Sequence, residues 1–282
     1  MVPTDMTFAT ASAPCAYGRL AHHRRDRLYV LRNGFVYTSP WVVTPATSRP
    51  AAVVLLTVDG TPFTLEVDGQ RLVHNAFAVA PNVRRGLDAR GVDLVSLNIA
   101  PNSPLFPAFR ALPSGGMMPL DRAAFAGFDG DLAAWSEGAA LTRPSSQRFD
   151  ELVQTAVELL PSPPEVDGRL AQMLGALAGH ADEQQALQRV AQQLGLSYHR
   201  TSHLFSSSLG IPLRSFLAWE KQRRLFRPLM IGKDSLTHVA HDAGLPDSAY
   251  LSRIYQRWYG QRPSFARSKS VQVFIDGSPY RS

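Results

Sequence analysis

Residues 236–260 read LTHVAHDAGLPDSAYLSRIYQRWYG. Leu236, Val239, Ala240 and Ala243 fall at i, i+3, i+4 and i+7, one face of a helix, and Gly244 closes the run. Asp247 suits the N-cap of a second helix, with Leu251, Ile254, Tyr255 and Trp258 on its buried face and Gly260 at its end. The same order occurs 49–50 residues earlier, in LQRVAQQLGLSYHRTSHLFSSSLG over residues 187–210. There Leu187, Val190, Ala191 and Leu194 precede Gly195, Ser197 is the cap, and Leu204, Phe205 and Leu209 face inward before Gly210. Helix, glycine turn, helix is a helix-turn-helix pattern, and two copies at a fixed offset argue against chance.

Between the copies, Pro212 to about Ile231 reads as one long helix. Twenty residues at ~1.5 Å each span about 30 Å. That approaches the ~34 Å between successive major-groove faces on one side of B-DNA. The charge agrees. Residues 1–164 hold 14 Lys and Arg against 14 Asp and Glu, while residues 165–282 hold 15 against 9, so the whole net +6 lies in the second part. A neutral module joined to a basic one fits a regulatory domain fused to a polyanion-binding domain.

The first part reads as strands. Ala52–Val58 is an apolar run ending at Asp59-Gly60, Phe63, Leu65 and Val67 alternate with polar residues up to Gly69, and Phe77, Val79 and Val92–Ile99 follow. Short strands at this spacing suggest a sandwich or small barrel. Then the period changes. Asp131–Leu141 reads as a helix, and Phe149, Leu152, Val153, Ala156 and Leu160 form an amphipathic stripe able to cover the barrel or pair with a second copy. Pro161-Ser162-Pro163-Pro164 ends it as a linker, and Leu170, Met173, Leu174 and Leu177 open the next helix. The expected boundaries are a flexible tail over 1–18, a sheet domain over 19–160, a linker over 161–164, a DNA-binding domain over 165–268 and a C-terminal tail over 269–282.

Residues 236–253 and 259–267, with Val190-Ala191, Leu196-Ser197, His203-Leu204-Phe205 and Leu209-Gly210, resemble the AraC/XylS family of bacterial transcriptional regulators. The resemblance covers roughly 165–268; the first half looks like the cupin-type sensor barrel of many members. It implies a two-domain fold, a mainly β cupin-like barrel with flanking helices followed by an all-α domain of two helix-turn-helix units joined by a long helix. It also implies a cytoplasmic regulator that binds double-stranded DNA and dimerises through its first domain, with RNA polymerase and a small-molecule effector as further candidate partners.

In the family the base-facing positions of the first recognition helix correspond to His199, Ser202 and His203, with Arg200 toward phosphate. Those of the second correspond to Ser248, Ala249, Ser252 and Arg253. Arg253 can grip guanine O6 and N7 with two hydrogen bonds; the plain alternative is an ion pair with Asp247 or Asp242. Arg257, Arg262 and Arg214 are phosphate candidates. Lys221, Arg223, Arg224 and Arg227 read as a solvated or ion-paired helix face. Three departures stand out. Thr201 replaces a usual leucine, His203 a usual arginine, and Pro228 should kink or shorten the long helix. Val271–Ile275 has no family counterpart and reads as an added edge strand or a disordered tail.

Metal-binding cupins need a His-x-His pair, a carboxylate and a further histidine. Here His22-His23 is adjacent, His74 stands alone, and Arg84-Arg85 occupies a place where cupins often carry histidine. No metal or cofactor site is expected. Arg84 or Arg85 suits an anionic effector or a surface salt bridge. The single Cys15 excludes an intramolecular disulfide. No apolar run reaches the ~18 residues that span a membrane, and no secretion signal opens the chain. Two alternatives stay open: a cupin-type enzyme with a helical appendage, and a regulator whose barrel only dimerises.

Overall fold

The computed structural model describes residues 26–162, 165–177, 183–232, 234–267, 271–275 and 278–279. The expected tail over 1–18, His22-His23 and the Pro163-Pro164 part of the linker lie outside the described residues.

The first part is mainly β. Its strands are β1 Asp26–Leu31, β2 Gly34–Thr47, β3 Ala52–Thr57, β4 Phe63–Val67, β5 Gln70–His74, β6 Ala76–Val79, β7 Arg85–Ile99 and β8 Met117–Pro119. Two long strands organise them. β2 pairs antiparallel with β7 along its length, and β7 also takes β3 on its second half and β4 on its first. β2 contains Pro40 and Pro45, residues that cannot donate to a ladder. The structure absorbs each proline at a register shift, one between Ser39 and Trp41 and one between Thr44 and Thr47.

The sheet separates two cores. On one side Val42, Val53, Leu55, Phe63, Leu65, Phe77 and Leu94 meet between the strand layers. On the other, Tyr29, Val36, Val54, Leu56 and Leu97 are covered by helices α1 Asp129–Glu137 and α2 Ser145–Glu158. The stripe Phe149, Leu152, Val153 and Ala156 is entirely buried in this core. The expectation that it could serve as a dimer contact is therefore corrected: the chain's own sheet already occupies that face.

The second part holds α3 Leu170–Leu177, α4 Glu183–Gln193, α5 Tyr198–Leu209, α6 Leu213–Ile231, α7 Leu236–Asp242 and α8 Ser248–Tyr259. The repeat appears as read: α4 and α5 form one helix-turn-helix unit, α7 and α8 the other, joined by α6. Pro228 does not stop α6, which runs on to Ile231 before Gly232 donates its N–H back to the Pro228 carbonyl at 2.8 Å. Leu204 and Ile254 are half-buried at the margins, while Phe205, Leu209, Leu251, Tyr255 and Trp258 fill the cores.

The two units attach to the sheet domain differently. Phe205, Leu209 and Phe216 belong to the same continuous core as Phe106, Phe109 and Phe149. The second unit has its own core around Leu229, Val239 and Leu251. It meets the sheet through a separate aromatic cluster, in which Phe35 packs on Trp219, Phe226 and Tyr259 and Trp258 stacks on Trp219. Beyond the second unit, the chain returns to the sheet as β9 Val271–Ile275, parallel to β1, with β10 Ser278–Pro279 folded back on it. Residues 271–275 are thus an added strand beside β1, with β10 outside it at the edge.

Candidate nucleic-acid interface

Each recognition helix begins on a capped turn. The Ser197 hydroxyl accepts the Arg200 N–H at 3.3 Å, and the Asp247 carboxylate accepts the Tyr250 N–H at 2.6 Å. Ser235 caps α7 in the same way, accepting the His238 N–H at 3.1 Å. Each ends at a glycine in the left-handed region, Gly210 at φ 87° and Gly260 at φ 71°. Caps and buried stripes together fix which side chains face outward.

On α5, His199, Arg200 and His203 are exposed and Ser202 is half-buried. Thr201 is fully buried, yet its hydroxyl donates to the Ser197 carbonyl at 2.9 Å, so the residue standing where leucine is usual leaves no unsatisfied polar group. On α8, Ala249 and Arg253 are exposed, and Ser248 and Ser252 are half-buried. The Ser252 hydroxyl donates to the Ser248 carbonyl at 2.9 Å, and the Thr237 hydroxyl lies 3.5 Å from that of Ser248. Both serines therefore have partners within the unit, while Arg253 is exposed.

Arg253 forms neither of the ion pairs its neighbours offered. Asp247 is engaged as the cap and Asp242 faces His238 at 3.4 Å. Its guanidinium lies instead 5.8 Å from the centre of the Tyr250 ring. Arg257, Arg262 and Arg214 are exposed. Arg223 pairs with Glu220 at 3.1 Å, the ion-paired reading of the α6 charge run.

Tyr198 and Tyr250, in the first turns of the two recognition helices, are 48% and 38% exposed and stand off the buried stripe.

A second site lies behind the interface. A cleft of about 90 Å³ opens between the sheet and the second helix-turn-helix unit. Leu28, Tyr37, Val42, Leu55 and Leu94 line it from the sheet, and Phe226, Met230, Tyr255 and Tyr259 from the helices. Two cations border it. Arg85, 4% exposed, is buried, while its neighbour Arg84 is exposed. Arg49 donates to the Trp258 carbonyl at 3.1 Å and lies 5.7 Å from the Tyr259 ring centre. The Asn98 Oδ1 and Tyr259 hydroxyl are buried without a hydrogen-bond partner here. Burial pushes the Tyr255 and Tyr259 hydroxyls well above the ordinary tyrosine range, so both stay neutral donors.

Residues 190–269 match a family model described as a helix-turn-helix domain. The arabinose operon regulatory protein of Escherichia coli is 30% identical over 109 residues, 37% of this chain and 36% of that protein. The virulence regulon transcriptional activator VirF of Yersinia enterocolitica is 32% identical over 88 residues, 30% of this chain and 31% of that protein. These alignments span about one third of the relatives' length. The solved structure of ToxT from Vibrio cholerae aligns with 83% of this chain and 95% of its own, with a TM-score of 0.50 and 11% identity, a likeness of fold. The paired, capped helix-turn-helix units and the family match over them identify residues 190–269 as a helix-turn-helix domain, similar in sequence to the matching third of the arabinose operon regulatory protein.

Proposed function

We propose that the chain is a sequence-specific DNA-binding transcriptional regulator, with α5 and α8 entering adjacent major grooves. The observation that carries this is the pair of capped recognition helices, each with a polar outward face: His199, Arg200, Ser202 and His203 on one, and Ser248, Ala249, Ser252 and Arg253 on the other. Arg257 and Arg262 hold phosphate in this reading. The test is selection of duplexes from a random library by the full chain, followed by titration across salt. Specific binding whose affinity falls linearly with salt on logarithmic axes supports it; absence of any binding at low salt rejects it.

The sheet domain is the regulatory partner in this reading, and the cleft is its effector site. Apolar walls with the buried Arg85 and the half-buried Arg49 at the edge suit an apolar molecule bearing one acidic group. A second solved ToxT structure is bound to (E)-4-(8-methylnaphthalen-1-yl)but-3-enoic acid, a molecule of that chemistry, with a TM-score of 0.50 and 9% identity. Titrating such acids into wild type and Arg85→Ala and following DNA affinity tests the assignment.

The proposal places the protein in the cytoplasm as a homodimer, with RNA polymerase as a further partner. Because α2 spends its apolar stripe on its own sheet, the pairing surface is another one. No described helix is long and apolar enough to cross a membrane. The competing reading, a metal-dependent cupin-type enzyme, needs a histidine and carboxylate set, and no three such side chains gather among the described residues.

A further inference from the structure

We infer that the C-terminal strand Val271–Ile275 is an intramolecular clasp, which holds the second helix-turn-helix unit on the sheet and closes one wall of the cleft. The inference rests on the cleft being a ligand site only for its regulatory consequence. The docking itself stands on the contacts below.

The strand leaves the second helix-turn-helix unit and joins the opposite domain. It pairs in parallel with β1 from Asp26 opposite Val271 to Val30 opposite Ile275. Alternation then gives it two faces. On one face Phe274 is 4% exposed and stacks on Tyr29 with ring centres 4.4 Å apart, inside the core that holds Trp135. On the other face Val271 sits with Leu28 in the contact that receives Trp219, Phe226 and Trp258, and both line the cleft. One strand therefore anchors in the sheet core and walls the cleft at once.

The two units differ in what holds them. The first shares the main core of the sheet domain, so its position is fixed by packing. The second touches the sheet through the aromatic contact and two backbone acceptors. The Ser48 N–H donates to the Arg257 carbonyl at 3.0 Å, and Arg49 donates to the Trp258 carbonyl. Gly260 allows this approach, since a Cβ there would meet Pro45 at 3.2 Å and Thr47 at 3.3 Å. Such a contact, smaller than a domain core, opens more readily than the fold as a whole. A strand pairing just beyond it keeps the unit near its docking site, as a short tether raises effective concentration. A ligand that fits the closed cleft stabilises the clasped arrangement; one that needs a wider cleft releases the second unit while the first stays in place.

The Ser48 amide reads this directly, because its acceptor belongs to α8. The experiment compares hydrogen exchange in the full chain and in a chain ending at Arg267, and measures binding of anilinonaphthalene sulfonate, an apolar anion, to both. Ser48 should exchange about tenfold faster or more in the truncated chain, while β3 and β7 amides keep their protection. Dye affinity should fall at least about threefold as the wall is lost. If the truncated chain does not fold, Phe274→Ala in the full chain reads the same amide, with the same expected direction. Unchanged Ser48 protection in a folded variant overturns the clasp. Faster exchange with unchanged or absent dye binding overturns its link to the cleft. Neither readout uses DNA, so a chain that fails to bind DNA counts against the proposed function alone.

Discussion

Gly210 and Gly260 close the two recognition helices fifty positions apart, both in the left-handed region, and both face the sheet domain. A Cβ on Gly210 would lie 2.5 Å from the Arg110 Cγ; on Gly260 it would press on Pro45 and Thr47. The turn chemistry that ends each helix also creates the flat spot on which the other domain rests. Arg110 completes the first contact by donating to the Ser208 carbonyl at 2.9 Å.

Gly210→Ala and Gly260→Ala should each cost about 1–2 kcal/mol from backbone conformation alone. The neighbour adds to this differently. Arg110 is flexible, so Arg110→Ala should recover part of the loss at Gly210 and none at Gly260. Urea unfolding of the two singles and the two doubles with Arg110→Ala checks this. Equal recovery at both glycines would refute the contact with Arg110.

Arg253→Ala should weaken binding to a selected site more than to random DNA. A bidentate arginine–guanine contact is worth about 1–3 kcal/mol of discrimination. A phosphate contact would weaken both alike and reduce the salt slope by about one. Equal losses would move base reading to His199 and His203 on α5. Tyr250→Phe, which keeps the ring beneath the guanidinium, should change little, and Tyr250→Ala more.

Leu152→Asp should unfold the sheet domain instead of producing a folded monomer. Leu152 is fully buried against its own sheet, and an unpaired carboxylate there costs more than about 3 kcal/mol. Circular dichroism with light scattering distinguishes the outcomes. A folded, smaller species would restore α2 as a subunit contact.

The fragment 165–282 should bind DNA at low salt, and 1–164 should not. The shared core adds a condition. Removing the sheet domain exposes Phe216, Trp219 and Trp258, each at most 5% exposed in the full chain. The fragment should therefore bind anilinonaphthalene sulfonate more strongly than the full chain and associate at micromolar concentration. A monomeric fragment with no extra dye binding would show that the two domains fold independently.

Stability should fall between pH 10 and about 12. Burial pushes the Tyr29 hydroxyl from 10.0 up to about 12, partly offset by Arg27. A raised value in the folded state means the neutral form is favoured there. The associated stability is full below pH 10 and is lost as pH climbs toward 12, by up to about 2–3 kcal/mol. Tyr29 also donates to the Trp135 carbonyl at 2.9 Å. Tyr29→Phe should thus cost about 1 kcal/mol at neutral pH and flatten the alkaline loss, read from urea midpoints at pH 8, 10 and 11.5.

What the sequence determined by itself was local. Period, cap and glycine placed both helix-turn-helix units, because a helix end needs a polar cap and a left-handed residue whatever surrounds it. Ser197, Asp247, Gly210 and Gly260 could be read without knowing their neighbours. The outward direction of Arg253 followed once Leu251, Tyr255 and Trp258 fixed the inner face. The tertiary structure decided everything that depends on distant partners. β2 holds Pro40 and Pro45, which only the register shifts in its pairing with β7 accommodate. The α2 stripe looked equally suited to a second copy and to its own sheet, since an apolar face carries no address. Arg85 is buried where it lines the cleft together with Tyr255 and Tyr259, some 170 residues away, a neighbourhood that no local pattern announces. Val271–Ile275 carried the alternation of a strand but no partner; only folding brought β1 beside it, and with it the link between the two domains.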